Sequence, residues 1–207
     1  MKSDNRWLEW AKELQFLSQS ALTYCKDVYD IERFERIREI SAEMAAEISD
    51  LPVEQIKGLF CNETGYQTPK LDTRAAIIRD GRIALAQERD GLWAMPGGWC
   101  DIDQTPADNT VKEAKEEAGM DVRVTRLVSV EDQDMHNFPP NAYKIIKLMF
   151  LCEPLGGAFV PNTETVASGW FSENALPEPM ANEKCTAEQV KLCFEASRAE
   201  NWETRFD

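Results

Sequence analysis

The chain has 207 residues, enough for one or two domains, and its 43% hydrophobic and 29% charged content excludes a disordered tail protein. Its 37 acidic residues against 23 basic ones give a formal net charge of −14, which argues against a basic surface for extended nucleic acid or anionic membrane. No apolar run is long enough to span a membrane, the charged N-terminus is unlike a signal peptide, and six scattered cysteines with no CxxC pair fit free thiols in a reducing cytoplasm.

Residues 1 to about 60 are predicted to be helical. Asp4 can cap a first helix, in which Trp7, Trp10, Ala11, Leu14, Leu17, Ala21 and Tyr24 recur at spacings of three and four to form an apolar stripe. A second helix starts at Asp27 and carries Ile31, Phe34, Ile37, Ile40, Met44 and Ile48 on one side. Its other side, with Glu32, Arg33, Glu35, Arg36, Arg38 and Glu39, is a solvated face laced with ion pairs. VEQIKGLF, with Pro52 near its start, makes a short third helix. Such a small helical unit buries itself poorly and is expected to pack on a neighbour or on a second copy of the chain.

Cys61 to Pro69 is polar and aperiodic, a linker, so the boundary falls between a helical domain at 1–64 and a second domain at 65–207. In the second domain, TRAAIIRDGRIALAQER is two strands about an Asp80-Gly81 turn, and LWAMPGGW is a third short apolar run. A helix over 106–118, strands in DVRVTRLVSVED, AYKIIKLMFLCEP and VASGWFS, and a closing helix in TAEQVKLCFEASRAEN follow. Interspersed strands and helices predict an α/β sandwich with a mixed sheet, preceded by a small all-α domain.

The chemistry is expected where the Gly97-Gly98 turn leads into the 106–118 helix. Thr105 is a candidate cap, Pro106 sits near the start, and Gly119 stands where a left-handed C-terminal residue belongs. At 100° per residue, Ala107, Val111, Ala114 and Ala118 form one face for close packing on a sheet. Glu113, Glu116 and Glu117 gather on the opposite side. Three carboxylates there repel one another on a bare helix, and oxygen donors of this kind suit a hard cation such as Mg²⁺. An isolated acidic run is ordinarily a solvated face; here the preceding glycine turn and the cap signals point to a site. Gly97 and Gly98 offer backbone N–H groups to a metal-bound water or a phosphate. Arg74, opening the first strand, is either a phosphate contact or half of an inter-strand ion pair. His136, the single histidine, lies in a loop stiffened by Pro139 and Pro140, and Trp93 and Trp99 either stack on a base or pack in the core.

The run from Gly98 to Met120 resembles the Nudix box, G-x5-E-x7-R-E-U-x-E-E-x-G-U with U aliphatic. Gly98, Glu113, Glu116, Glu117, Gly119 and Met120 match it without a gap, and Ala114 is the small apolar residue at the inner U. Two positions depart from it: Gln104 stands where a Glu is expected and Lys112 where an Arg is expected. The Gln104 carbonyl oxygen is expected to accept a hydrogen bond from Lys112 in place of the family's ion pair. The whole chain, with its helical N-terminal domain, resembles the bacterial ADP-ribose and CDP-choline pyrophosphatase-like branch.

The resemblance implies a Nudix-type α/β/α sandwich over about 66–207 and Mg²⁺-dependent hydrolysis (Mn²⁺ as alternative) of a nucleoside diphosphate joined to another moiety. It implies metal ligands at Glu116 and Glu117, Glu113 as a third ligand or a base, and a base in a loop outside the box, for which Glu164 is the candidate. It also raises His136, in a HNFPP stretch similar to one common in that branch, as a substrate contact beside Arg74, Gly97 and Gly98. A cytoplasmic homodimer acting on a small nucleotide is the expected context. The competing functions are RNA end trimming and a non-catalytic nucleotide sensor; retention of Glu113, Glu116 and Glu117 favours an enzyme.

Overall fold

The computed structural model describes residues 2–49 and 51–207. The chain divides into two compact units, residues 1–69 with 141–144, and residues 70–140 with 145–207. Among the described residues no helix is long and apolar enough to cross a membrane.

The first unit holds helices α1 (Lys2–Tyr24), α2 (Val28–Ser49) and α3 (Val53–Phe60). α1 already includes Asp4 in its backbone, and the side chain of Asp4 lies outside the described residues. The inner faces of α1 and α2 differ from the predicted stripes. Buried positions are Ala11, Gln15, Ser18 and Gln19 on α1 and Ser41, Ala42, Ala45 and Ala46 on α2, while Trp7, Trp10, Leu17 and Tyr24 remain exposed. Small side chains let two helices approach closely, and the buried polar ones are bonded: Gln15 Nε2 donates to Gln19 Oε1 (2.9 Å), and Gln19 Nε2 to the Gly65 carbonyl (2.9 Å). Hydrophobic spacing located the helices but not which stripe turns inward within one chain.

The second unit is a mixed seven-stranded sheet between two helices. Its strands are β1 (Lys70–Arg79), β2 (Arg82–Glu88), β3 (Trp93–Ala94), β4 (Met120–Asp132), β5 (Ile145–Gly157), β6 (Thr165–Ser172) and β7 (Arg205–Phe206). The order is β3-β2-β1-β5-β4-β7, with β6 on β2; β1–β5 and β4–β7 are parallel and the other pairs antiparallel. Asp80 (φ 51°) and Gly81 (φ 69°) make the β1–β2 turn, the double positive φ that a two-residue hairpin requires.

Alternation along β1 sorts the two cores. Ala75 and Ile77 face Ala114 and Ala118 of α4 (Pro106–Ala118), whereas Ala76 joins Ile83, Leu85 and Met149 against Val190, Cys193 and Phe194 of α6 (Ala187–Arg198). A helix therefore covers each face, as the sandwich reading requires. A one-turn helix, α5 (Gln133–His136), and the short β7 were not foreseen. Both are too short to show periodicity.

β1 and its neighbour β5 also carry a buried charge cluster. Asp72, Arg74 and Lys147 are each under 5% exposed. Lys147 Nζ donates to the Lys184 carbonyl (2.9 Å) and approaches Asp72 Oδ1 (3.4 Å). Burial first, then the Arg74 charge, pull the Lys147 pKa down to about 8 against the opposing charge and hydrogen bond of Asp72. An unfolded lysine titrates at about 10.4, so the unfolded chain holds more protons between those values and this group's contribution to stability rises with pH across them. The melting temperature of wild type minus that of Lys147→Met is therefore expected to increase from pH 7 to pH 10 by calorimetry. A difference that stays constant would contradict a depressed lysine.

Candidate active site

The loop after β3 is sewn along the start of β1. Thr73 N–H donates to the Gly98 carbonyl (2.9 Å), Ala75 N–H to Pro96 (2.7 Å) and Cys100 N–H to Leu71 (2.8 Å). The loop can lie this close because Gly97 has no side chain: a Cβ there would stand 1.9 Å from the Thr73 carbonyl oxygen, and φ is +150°.

α4 is capped as its sequence predicts. Thr105 Oγ1 accepts the Asp108 N–H (3.2 Å), and Gly119 closes the helix at φ 67° with its N–H on the Ala114 and Lys115 carbonyls. Asn109, wholly buried, fastens the helix to the loop. Its Nδ2 donates to Thr73 Oγ1 (2.9 Å) and the Trp99 carbonyl (3.4 Å), and its Oδ1 accepts the Asp101 N–H (3.2 Å). Asn109, Glu113 and Glu117 share one spacing of four, so the anchor and two of the acids form a line facing the Gly97-Gly98 turn. Sequence reading passed over Asn109 because an amide in a helix interior carries no signal by itself.

The three acids are not gathered together. Glu117 Oε2 accepts the Gly97 N–H (2.8 Å), and Glu113 lies where a Cβ on Gly98 would be 3.4 Å from its Oε2. Glu116 turns outward, its carboxylate 3.4 Å from Lys112 Nζ. Helical geometry explains the split: 113 and 117 lie one above the other, and 112 and 116 form the adjacent line. Among the described residues no three carboxylate, imidazole or thiol groups stand together as a metal cluster.

Burial raises both inward acids. Desolvation is the largest influence on Glu117, whose pKa is pushed up to about 7 against the Gly97 N–H and the Arg74 charge. Glu113 is also raised by burial, with Lys112 opposing it. Of the two adjacent acids held at this cost, Glu113 has a cation nearby in Lys112, which Asp101 and Glu116 share, and the donors of both are all oxygen. Those features fit a hard divalent cation.

Lys112 is paired with Asp101 (3.0 Å) and not with Gln104. Glu113 (3.6 Å) and Glu116 (3.4 Å) complete its surroundings, and its pKa is raised, chiefly by the Asp101 hydrogen bond. This corrects the expected Gln104 partner: the loop that Asn109 holds presents Asp101 to Lys112. Lys112→Glu, which exchanges that one cation for a further carboxylate, is expected to cost tenfold or more in turnover, about 1.4 kcal/mol. Gln104→Glu is expected to stay within a few-fold of wild type. Steady-state rates at fixed Mg²⁺ check both.

Arg74 forms its ion pair within β1 and not across to a neighbouring strand. It is 4% exposed, Nε and Nη2 grip Asp72 (2.8 and 2.6 Å), and Nη1 reaches the Met95 carbonyl (3.3 Å). A guanidinium so enclosed braces the loop from behind through the Met95 carbonyl.

His136 Nε2 sits 2.7 Å from Asp207 Oδ1. Burial lowers its pKa, but the Asp207 bond and the nearby carboxylates of Glu131, Asp207 and Asp132 outweigh that and raise it. Its neighbour Asn137 is structural, donating to the Asn182 carbonyl (2.8 Å) and Gln189 Oε1 (3.1 Å). Trp93 packs edge-on against Phe171, whereas Trp99 is half exposed. Glu164 lies exposed in the turn before β6, its N–H on Asn162 Oδ1 (2.8 Å).

Comparison with known proteins matches residues 69–191 to the family described as "NUDIX domain". Residues 5–60 match the one described as "UDP-X-like, N-terminal oligomerisation domain". The chain is 39% identical over 208 residues, covering all of both chains, to a Bacillus subtilis (strain 168) protein named "Putative ADP-ribose pyrophosphatase YjhB". A crystal structure of an ADP-ribose pyrophosphatase from Streptococcus suis superposes with a TM-score of 0.64 at 57% identity, over 68% of this chain and 100% of that one. A UDP-X diphosphatase superposes with a TM-score of 0.63 at 28% identity, over 98% of each chain.

Proposed function

The chain belongs to the Nudix hydrolases, enzymes that cleave pyrophosphate bonds, and we propose that its substrate is a nucleoside diphosphate joined to another moiety, with ADP-ribose and CDP-choline the leading candidates. The observation that carries this reading is the pair of inward-facing acids, buried Glu113 and half-buried Glu117, on the Gly97-Gly98 turn. Relatives named as ADP-ribose pyrophosphatase and UDP-X diphosphatase, similar over the whole chain or most of it, support the substrate class.

Glu113 and Glu117 would hold Mg²⁺ or Mn²⁺, with Glu116 added once it leaves Lys112. Such an ion neutralises diphosphate oxygens and lowers the pKa of a water it binds. The Gly97 N–H keeps Glu117 aimed at the turn. Gly98, having no side chain, leaves Glu113 room. Lys112, anchored by Asp101, tempers the repulsion among the acids. Glu164 is the base: it takes a proton from water as the oxygen attacks phosphorus, and the bond from that phosphorus to the bridging oxygen breaks. The products are a nucleoside monophosphate and a phosphorylated moiety. His136, held by Asp207, is assigned to the substrate side. Product analysis of ADP-ribose and CDP-choline by phosphorus NMR tests the reading. AMP with ribose phosphate, and CMP with phosphocholine, are expected; orthophosphate release from RNA ends with both of these untouched would refute it.

The first unit is assigned to homodimer formation. Its aromatic stripe of Trp7 and Trp10, in edge contact at 5.1 Å, faces outward within the chain. The match of residues 5–60 to an oligomerisation domain supports this. Full-length protein is expected to sediment as a dimer and Trp10→Glu as a monomer; a monomeric wild type at micromolar concentration would contradict the assignment.

A further inference from the structure

The turn that carries Glu164 is tied to the helix that carries the acids by two side chains, Asn162 and Thr165, and Asn162 also holds the turn itself together. Asn162 Oδ1 accepts the N–H groups of Glu164 (2.8 Å) and Thr165 (2.9 Å). Its Nδ2 donates to the Glu116 carbonyl (2.7 Å) and Thr165 Oγ1 (2.9 Å). Thr165, wholly buried, donates a hydrogen bond from its hydroxyl to the Glu117 carbonyl (3.0 Å). On the other side Arg89 holds the turn's main chain, Nε on the Thr163 carbonyl (2.6 Å) and Nη2 on that of Asn162 (3.1 Å).

Carbonyls in the last turn of a helix lack partners along the helix and are satisfied from outside. Here the two so satisfied belong to Glu116 and Glu117, and the groups that satisfy them flank Glu164. Asn162 uses its acceptor on the turn and its donor on the helix. The amide is therefore a fixed spacer between the element bearing the base and the element bearing the acids.

We propose that Asn162 is a positioning residue of the hydrolytic reaction, setting the separation between Glu164 and the carboxylates of α4. This rests on the assignment of Glu164 as base. Small displacements of a proton acceptor from attacking water are costly in rate, because the proton must move within hydrogen-bond reach. Thr165 reinforces the spacer, and Arg89 keeps the turn from swinging outward.

Asn162→Asp and Asn162→Ala separate the two ends of the amide. The aspartate keeps the acceptor for Glu164 and Thr165 but places an oxygen against the Glu116 carbonyl; alanine removes both ends. In metal-free protein, amide exchange at Glu164 and Thr165 is expected to stay slow in Asn162→Asp and to become at least tenfold faster in Asn162→Ala. Unchanged protection in Asn162→Ala would overturn the proposal. Both variants are expected to bind Mn²⁺ within about threefold of wild type, and to lose tenfold or more in kcat with KM within threefold. The deciding comparison repeats the variants in a Glu164→Gln background. A positioning residue acts through Glu164, so Asn162→Asp should then cost less than threefold further. An equal loss in both backgrounds refutes positioning while leaving Glu164 as base. If Glu164→Gln alone keeps wild-type kcat, the base assignment falls and this inference with it.

Discussion

Glu117→Gln is expected to lower kcat by 100-fold or more, about 2.7 kcal/mol of barrier, while leaving the fold intact. Glutamine has the shape of glutamate and still presents an oxygen to the Gly97 N–H, so the loop keeps its anchor. What disappears is the negative charge that a cation would require. The same change removes an acid that burial has already driven up to about 7, so the melting temperature at pH 8 without metal should not fall. Glu113→Gln should behave alike. Glu116→Gln should cost less, since its carboxylate rests on Lys112 at the outer line of the helix. Kinetics of the three purified variants, with melting curves beside them, check the order; equal turnover for Glu117→Gln and wild type would remove the central pair from the mechanism.

Gly97→Ala is expected to be among the most damaging single changes outside the acids. Its methyl group would lie 1.9 Å from the Thr73 carbonyl oxygen and 2.9 Å from the Arg74 Cα, both main-chain atoms of a central strand. Neither yields easily, because β1 pairs with β5 along eight residues and with the loop through Thr73 and Ala75. The backbone at φ +150° is strained for any side chain as well. A loss of about 3 kcal/mol or more in stability is expected, with activity falling further as the Gly97 N–H leaves Glu117. Gly98→Ala is the control. A methyl there meets nothing closer than Glu113 Oε2 at 3.4 Å, so stability should change by less than about 1 kcal/mol while turnover drops. Urea denaturation of both proteins decides it, and equal midpoints would mean that the loop is not clamped.

Much of this arrangement was legible in the residues, and the parts that were not share a cause. The α4 helix, with its Thr105 cap and Gly119 stop, follows from local chemistry, and so does the Asp80-Gly81 hairpin turn. Interspersed strands and helices, with small alanines on α4, anticipated the sandwich, and the Nudix resemblance implied the helices that cover both faces of the sheet. Partner choice was not local. Lys112 had Gln104 as its expected neighbour, but Asn109 folds the loop so that Asp101 arrives instead. Arg74 looked available for phosphate until the fold enclosed it with Asp72 two residues back on the same strand. Asn162 is one of many loop asparagines until the C-terminal turn of α4 is brought beside it. In the helical unit, the aromatic stripe was correctly seen as apolar, yet within the chain the close contact belongs to Ala11, Ala42, Ala45 and Ala46. Periodicity reports that a face wants cover and is silent about what covers it.

The rate of nucleoside monophosphate release from ADP-ribose or CDP-choline, followed as Mg²⁺ is returned to metal-depleted protein, decides whether Glu117 serves a metal-assisted hydrolysis when wild type and Glu117→Gln are measured side by side. Wild type should be inactive in chelator and recover fully along a saturating Mg²⁺ curve, while Glu117→Gln stays at least 100-fold slower at every concentration. Full turnover of wild type in chelator, or a Glu117→Gln curve that overlays it, would contradict the assignment of the Gly97–Glu113–Glu117 site to metal-assisted pyrophosphate hydrolysis.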